Sequence, residues 1–343
     1  MESKRIEYID LAKGICIILV VFMHLVPELI KGNPFFSNLR MPLYYCLSGL
    51  FFKSYGSFKN FLIKKSDKLL IPLVAWFLIS HFIYYLRVWA IGYPERHFYM
   101  SDFFLEDDFY NGVLWFLLSL FWCNIIYFGI EKFSKNELIR VAVILSISTI
   151  GWFITYSDLR NFLYIGTSLT CLPFFYMGKL FLKYNLVSKT KTPKKDLLIG
   201  GICLLIILSS ILLPEEPPLY IFYLNRLESG LPVFVYFAGS SLCLAILLVC
   251  KYINKIPFVS YLGRYSIIVL VTHRLIQNIF TRGIEHLTGL DMSSTSSRFI
   301  LFFIIIALMS IIIPLCKKFL PHICAQKPVL DRRASVPSSV EAI

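Results

Sequence analysis

Apolar runs long enough to cross a bilayer recur along this chain, and that recurrence leaves few folds open. A hydrocarbon core about 30 Å thick needs roughly 20 apolar residues in a helix, because no water is there to satisfy free backbone amides and carbonyls. Such runs fall at about 11–31, 40–54, 69–91, 112–130, 138–156, 162–182, 197–213, 230–250, 258–280 and 298–316, separated by charged or Pro/Gly-rich breaks. With 57% hydrophobic and 16% charged residues and a mean hydropathy of +0.70, the 343-residue chain is too apolar for an ordinary soluble domain. The fold expected is an all-α integral membrane protein of about ten transmembrane helices.

Charge sets the expected orientation. One set of loops carries Lys4 and Arg5, Lys53 to Lys68, Lys132 to Arg140, Lys183 to Lys195, Lys251 and Lys255, and Lys317 and Lys318. The alternate loops hold most of the acids, among them Glu95, Asp102, Glu106, Asp107, Asp108, Glu215, Glu216 and Asp291. The positive-inside rule then puts both termini in the cytoplasm of a multi-pass protein, expected in a bacterial cytoplasmic membrane. This interleaving also accounts for the net charge of +13, so the basic residues argue for contact with the lipid bilayer and not for nucleic acid. The nine cysteines form no C-x-x-C pair and sit mostly in apolar runs; no disulfide or metal site is expected. The first run lacks a small-residue cleavage site after it and is expected to be retained. Residues 1–320 read as one membrane-embedded domain and 321–343 as a basic, disordered cytoplasmic tail.

Ionisable residues inside such runs are costly and mark places where polar chemistry enters the membrane. The first run, DLAKGICIILVVFMHLVPELI, contains Asp10, Lys13 and His24. At about 100° per residue the eleven-residue step from Lys13 to His24 returns to within about 20°, with Asp10 about 60° from Lys13, so all three line one face. The rise puts Lys13 roughly 16 Å from His24, near one surface, with the imidazole deep inside. His81 and His273 come at comparable heights in the third and ninth runs. For His81 a packing role is expected, since Ser80, Tyr84 and Tyr85 offer partners. Arg274, beside His273, must reach the outer interface or an anion, and Glu28 reads either as a partner of the His24 imidazole or as an interfacial acid. Lys179 reads as a snorkelling anchor.

A neutral imidazole can take a proton from a hydroxyl as that oxygen attacks a carbonyl, and a cation at the membrane surface can hold phosphate. Spacing alone fits this chemistry and also fits a transporter.

The segments IEYIDLAKGICIILVVFMH and RMPLYYCLSGLFFK resemble the opening of the membrane acyltransferase 3 family, especially its fucose 4-O-acetylase-like branch. KKSDKLLIPLVAW, LWFLLSLF, LPFFYMGKLF and LGRYSIIVLVTHRLI continue the likeness in the family's order. The resemblance implies transfer of an acyl group, usually acetyl from acetyl-CoA as substrate with no bound cofactor, to a hydroxyl of a surface glycan or its lipid-linked sugar precursor. It matches Lys13 to the family's donor-contacting basic residue and His24 to its essential histidine. Asp10, Ser48, Gly49, Trp115, Ser266 and His273 match recurring positions. Where that branch often has His before Met-Pro, this chain has Arg40, which with Arg274 is expected on the acceptor side, consistent with an anionic acceptor.

The function expected is therefore an integral-membrane O-acyltransferase. His24 would act as general base or carry the acyl group itself, Asp10, Ser48 and His273 would belong to the catalytic set, and Ser48 or Ser266 would polarise the thioester. The alternative is a multi-pass transporter or flippase for a polar or lipid-linked substrate, with a histidine proton relay.

Overall fold

The computed structural model describes residues 6–30, 34–92, 98–103, 109–156, 162–188, 190–212, 221–223, 226–228, 232–289, 292 and 294–331. The chain opens with α1 (Glu7–Leu25), a short α2 (Pro27–Ile30), α3 (Pro34–Leu50) and α4 (Phe58–Lys65). A π-turn over Ser66–Leu70 carries α4 directly into α5 (Ile71–Ile91). Then come α6 (Trp115–Phe133), α7 (Glu137–Tyr156), α8 (Ile165–Lys183) and α9 (Pro193–Leu212). A small antiparallel hairpin, β1 (Ile221–Tyr223) with β2 (Arg226–Glu228), precedes α10 (Pro232–Ile253), α11 (Pro257–Arg264), α12 (Ser266–Thr288) and α13 (Thr295–Phe319).

Among the described residues seven helices are long and apolar enough to cross a membrane: α1, the continuous α4–α5 segment, α6 with the 3-10 turn before it, α7, α8, α10 and α13. The other three apolar runs are shaped differently. Residues 40–54 fall mainly on α3, which is 17 residues long and contains Pro42. Residues 197–213 fall on α9. Residues 258–280 are not one helix, because Tyr265, at φ −112° and ψ 29°, divides α11 from α12. The acids expected at Glu95, Glu106, Asp107, Asp108, Glu215, Glu216 and Asp291 lie outside the described residues.

α1 is the hub, packed against α3, α10, α11, α12 and α13. Its contact with α11 is backbone against backbone: a Cβ on Gly263 would stand 1.8 Å from the Asp10 carbonyl oxygen. The α3–α8 crossing is built in the same way, since a Cβ on Gly178 would stand 1.8 Å from the Cys46 carbonyl oxygen. With lipid tails as apolar as leucine, helices in a membrane gain from such close approach at small residues. At the lysine-rich end, Lys251 of α10 pairs with Asp196 of α9 at 2.8 Å, and Tyr252 and Thr192 donate to the same carboxylate. That completes the shell of a buried charge pair, which would otherwise be costly.

The tail departs from the expected disorder at its start. Beyond α13, residues 320–331 turn back onto the α4–α5 segment, where Asp67 of the π-turn accepts the backbone N–H groups of Val329, Leu330 and Asp331 at 2.8, 2.8 and 2.9 Å. Trp76 Nε1 donates to the Ile323 carbonyl at 3.1 Å, and Cys324 is fully buried. A carboxylate holding three amides is a strong anchor that composition does not reveal. Residues 332–343 lie outside the described set.

Candidate functional site

Two polar centres lie along α1, one near each end. At the C-terminal end, the imidazoles of His24 and of His273 on α12 face each other with ring centroids 5.5 Å apart and planes at 38°. His273 is almost fully buried, whereas His24 is half-buried. His273 Nδ1 lies 2.8 Å from the Val269 carbonyl oxygen, one turn back on its own helix. A carbonyl only accepts, so Nδ1 carries the proton and Nε2 of the neutral ring is left with a lone pair. Among the described residues that Nε2 is buried without a hydrogen-bond partner.

The two arginines expected on the acceptor side flank this pair differently. Arg274 sends Nη1 toward the His24 carbonyl oxygen (3.4 Å) and to Gln277 Oε1 (2.8 Å), while Gln277 Nε2 donates to that same carbonyl at 2.9 Å. Sequence reasoning passed over Gln277; its only signal is its place one turn beyond His273. Arg40 is buried on α3, its backbone carbonyl accepting from the Cys16 thiol of α1. Glu28 turns away from the imidazoles to pair with Arg298 of α13 at 2.5 Å, the interfacial alternative considered for it. His81 is fully buried elsewhere, its ring nitrogens 3.0 and 3.2 Å from the carbonyls of Phe77 and Tyr99, as its expected packing role requires.

At the other end of α1, Lys13 Nζ lies 5.3 Å from the centroid of the Phe51 ring. Phe51 follows a stripe of α3 residues, Arg40, Tyr44 and Ser48, that share one helix face at spacings of four. Two further lysines lie over the buried ring of the next residue, Phe52: Lys65 Nζ is 5.6 Å from it and 5.7 Å from Phe61, and Lys179 is 5.1 Å from it. Lys64 lies 4.7 Å from the Tyr55 ring and pairs with Asp331 at 3.7 Å. Lys179 also pairs with Glu131 at 3.6 Å, a more specific role than a snorkelling anchor. These ammonium groups all lie over aromatic rings, and Lys64 and Lys179 are also paired with carboxylates.

Asp10 belongs to neither centre's open face. It is buried, and its carboxylate lies 3.6 Å from Arg264 Nε, while the same guanidinium reaches Glu7 at 3.5 Å. Arg264 therefore fastens α11 onto α1 where Gly263 allows the backbones to touch. The structure thus brings His24 with His273, sets Lys13 over Phe51 just beyond the end of α3, and sets Asp10 against Arg264. Trp115 packs beside Tyr164, their ring centroids 5.9 Å apart. Among the described residues no cluster of His, Cys, Asp and Glu could hold a metal ion.

No curated protein matches the chain. Residues 6–317 match the family model for an acyltransferase domain, the acyltransferase 3 domain. That match spans both polar centres and nearly every helix, and the chain therefore belongs to the acyltransferase 3 family, a family of multi-pass membrane acyltransferases.

Proposed function

We propose that this protein moves an acetyl group from cytoplasmic acetyl-CoA to a hydroxyl of a surface glycan or its lipid-linked precursor, with His24 as general base. The observation that carries the reading is the approach of His24, on α1, to His273, on α12, with Lys13 toward the other end of α1, in a chain of an acyl-transferring family. Counting α3, α9 and α12 with the seven apolar helices would give ten spans, and the loop charges favour both termini and the lysine-rich end at the cytoplasm. The motif order supports the fucose 4-O-acetylase-like branch within that family.

In this mechanism Lys13, Lys65 and Lys68 hold the donor's phosphates, and the acyl end extends along α1 toward His24. The acceptor hydroxyl, arriving from the opposite side past Arg40 and Arg274, loses its proton to the imidazole as its oxygen bonds to the thioester carbonyl carbon. The C–S bond then breaks and the coenzyme leaves as a thiol once protonated. Ser48 or Ser266 would steady the carbonyl oxygen in the transition state. In a two-step variant His24 takes the acyl group first.

The test uses purified protein in nanodiscs with radiolabelled acetyl-CoA and a glycan or lipid fraction from the native host. Thiol release with transfer of label by wild type, and neither by His24→Ala, supports the reading. Folded wild type that turns over no member of a panel of acyl-CoA donors overturns it in favour of transport.

A further inference from the structure

The C-terminus of α1 is closed by side chains of another helix. A helix leaves its last four carbonyls without intrahelical amides, and Pro27 stops α1 from continuing. Val26 N–H serves the Phe22 carbonyl at 2.8 Å. The His24 carbonyl is served from α12, by Gln277 Nε2 at 2.9 Å with Arg274 Nη1 at 3.4 Å. The orientation of the Gln277 amide is fixed chemically: its oxygen must be the atom facing the arginine, and its NH₂ the group facing the carbonyl. This bridge starts one turn beyond His273 and ends on the backbone of His24, so one short network sets the spacing of the two imidazoles.

We propose that Gln277 is a positioning residue that holds His24 against His273, replacing the backbone amide that the end of α1 withholds from the His24 carbonyl. Its kinetic consequence rests on the acyl-transfer reading; its geometric consequence does not. Precise placement matters because a base displaced by about 1 Å can cost on the order of 100-fold in rate.

Two variants separate donation from mere polarity. Gln277→Met keeps length and removes both functions. Gln277→Glu keeps shape and the contact with Arg274 but, ionised, cannot donate to a carbonyl. Both are expected to lower kcat for acetyl transfer about 10- to 100-fold with little change in KM for acetyl-CoA, in protein that retains its melting temperature and elution volume. A second readout needs no activity. In a His24→Cys/His273→Cys variant, a short bis-methanethiosulfonate links the two positions, and mass spectrometry measures the linked peptides. Adding Gln277→Met is expected to lower that yield.

Wild-type kinetics together with an unchanged cross-linking yield in the Gln277 variants overturns the proposal. Wild-type kinetics in Gln277→Glu alone also overturns it, because donation to the carbonyl is then dispensable. A lowered yield in a protein whose wild type transfers no acyl group supports the positioning role and refutes the acyl-transfer reading.

Discussion

His24 and His273, separated by 249 positions in sequence, bring their imidazoles to a ring-centroid distance of 5.5 Å, and the two rings are held in different ways. His273 is fixed by its own helix through the Val269 carbonyl, which leaves Nε2 as an acceptor. His24 is half-buried and fixed through its backbone. In the proposed reaction His24 meets the substrate and His273 orients the His24 ring. His24→Ala is expected to lower kcat by about 10²–10⁴-fold, the usual range for a general base. His273→Ala is expected to lose about 10- to 100-fold, as for a supporting group. Single-turnover transfer from labelled acetyl-CoA measures both, and equal losses would show that the rings act as one unit.

In the proposed reaction Lys13 binds the donor. Its ammonium stands 5.3 Å from the Phe51 ring centroid, some 16 Å along α1 from His24 by helix rise. Lys13→Ala is expected to raise KM for acetyl-CoA about 10- to 100-fold, matching one charge-assisted hydrogen bond of roughly 1.5–3 kcal/mol, with kcat little changed. Lys13→Arg is expected to retain binding, because a guanidinium also pairs with phosphate. Steady-state kinetics at varied donor concentration distinguishes these outcomes from a loss in kcat, which would place Lys13 in the chemical step.

The glycine crossings give a stability prediction independent of function. Gly263→Ala puts a Cβ into space already held by the Asp10 carbonyl, 1.8 Å away, and neither backbone can yield without parting α11 from α1. A cost of about 1–3 kcal/mol or more follows from overpacking of this kind. Gly283→Ala on α12, where a new Cβ would meet nothing within 4 Å, is the matched control and is expected to raise stability by about 0.5–1 kcal/mol, the helix preference of Ala over Gly. Thermal unfolding in detergent compares the two; equal melting temperatures would mean that α11 is not held this closely.

Periodicity and composition made the helical membrane character legible, and the common height of His24 and His273 followed from counting residues inward along their runs. The same counting could not separate α11 from α12, because the break at Tyr265 comes from packing of Gly263 and Arg264 onto α1. Asp10 shared a face with Lys13 by arithmetic, yet its partner, Arg264, is 254 residues away. Gln277 was hidden for a related reason: a glutamine carries no signal until the carbonyl it serves is known. The docked start of the tail was missed because its anchor, Asp67, belongs to a different part of the chain.

That anchor yields the last prediction. Asp67 is buried and accepts three consecutive backbone amides, and Lys64, one turn before it, reaches Asp331. Asp67→Ala removes the acceptor and leaves those amides to water, so residues 320–331 should detach while the helices stay packed. Asp67→Asn keeps one acceptor oxygen but loses the charge, and should detach them partly, since bonds to a carboxylate are worth about 1.5–3 kcal/mol against about 1 for neutral ones. Limited proteolysis followed by mass spectrometry reads the outcome: cleavage within 320–331 should rise in the order wild type, Asp67→Asn, Asp67→Ala. Equal protection in all three would mean that Trp76 and the buried Cys324 hold the segment without the carboxylate.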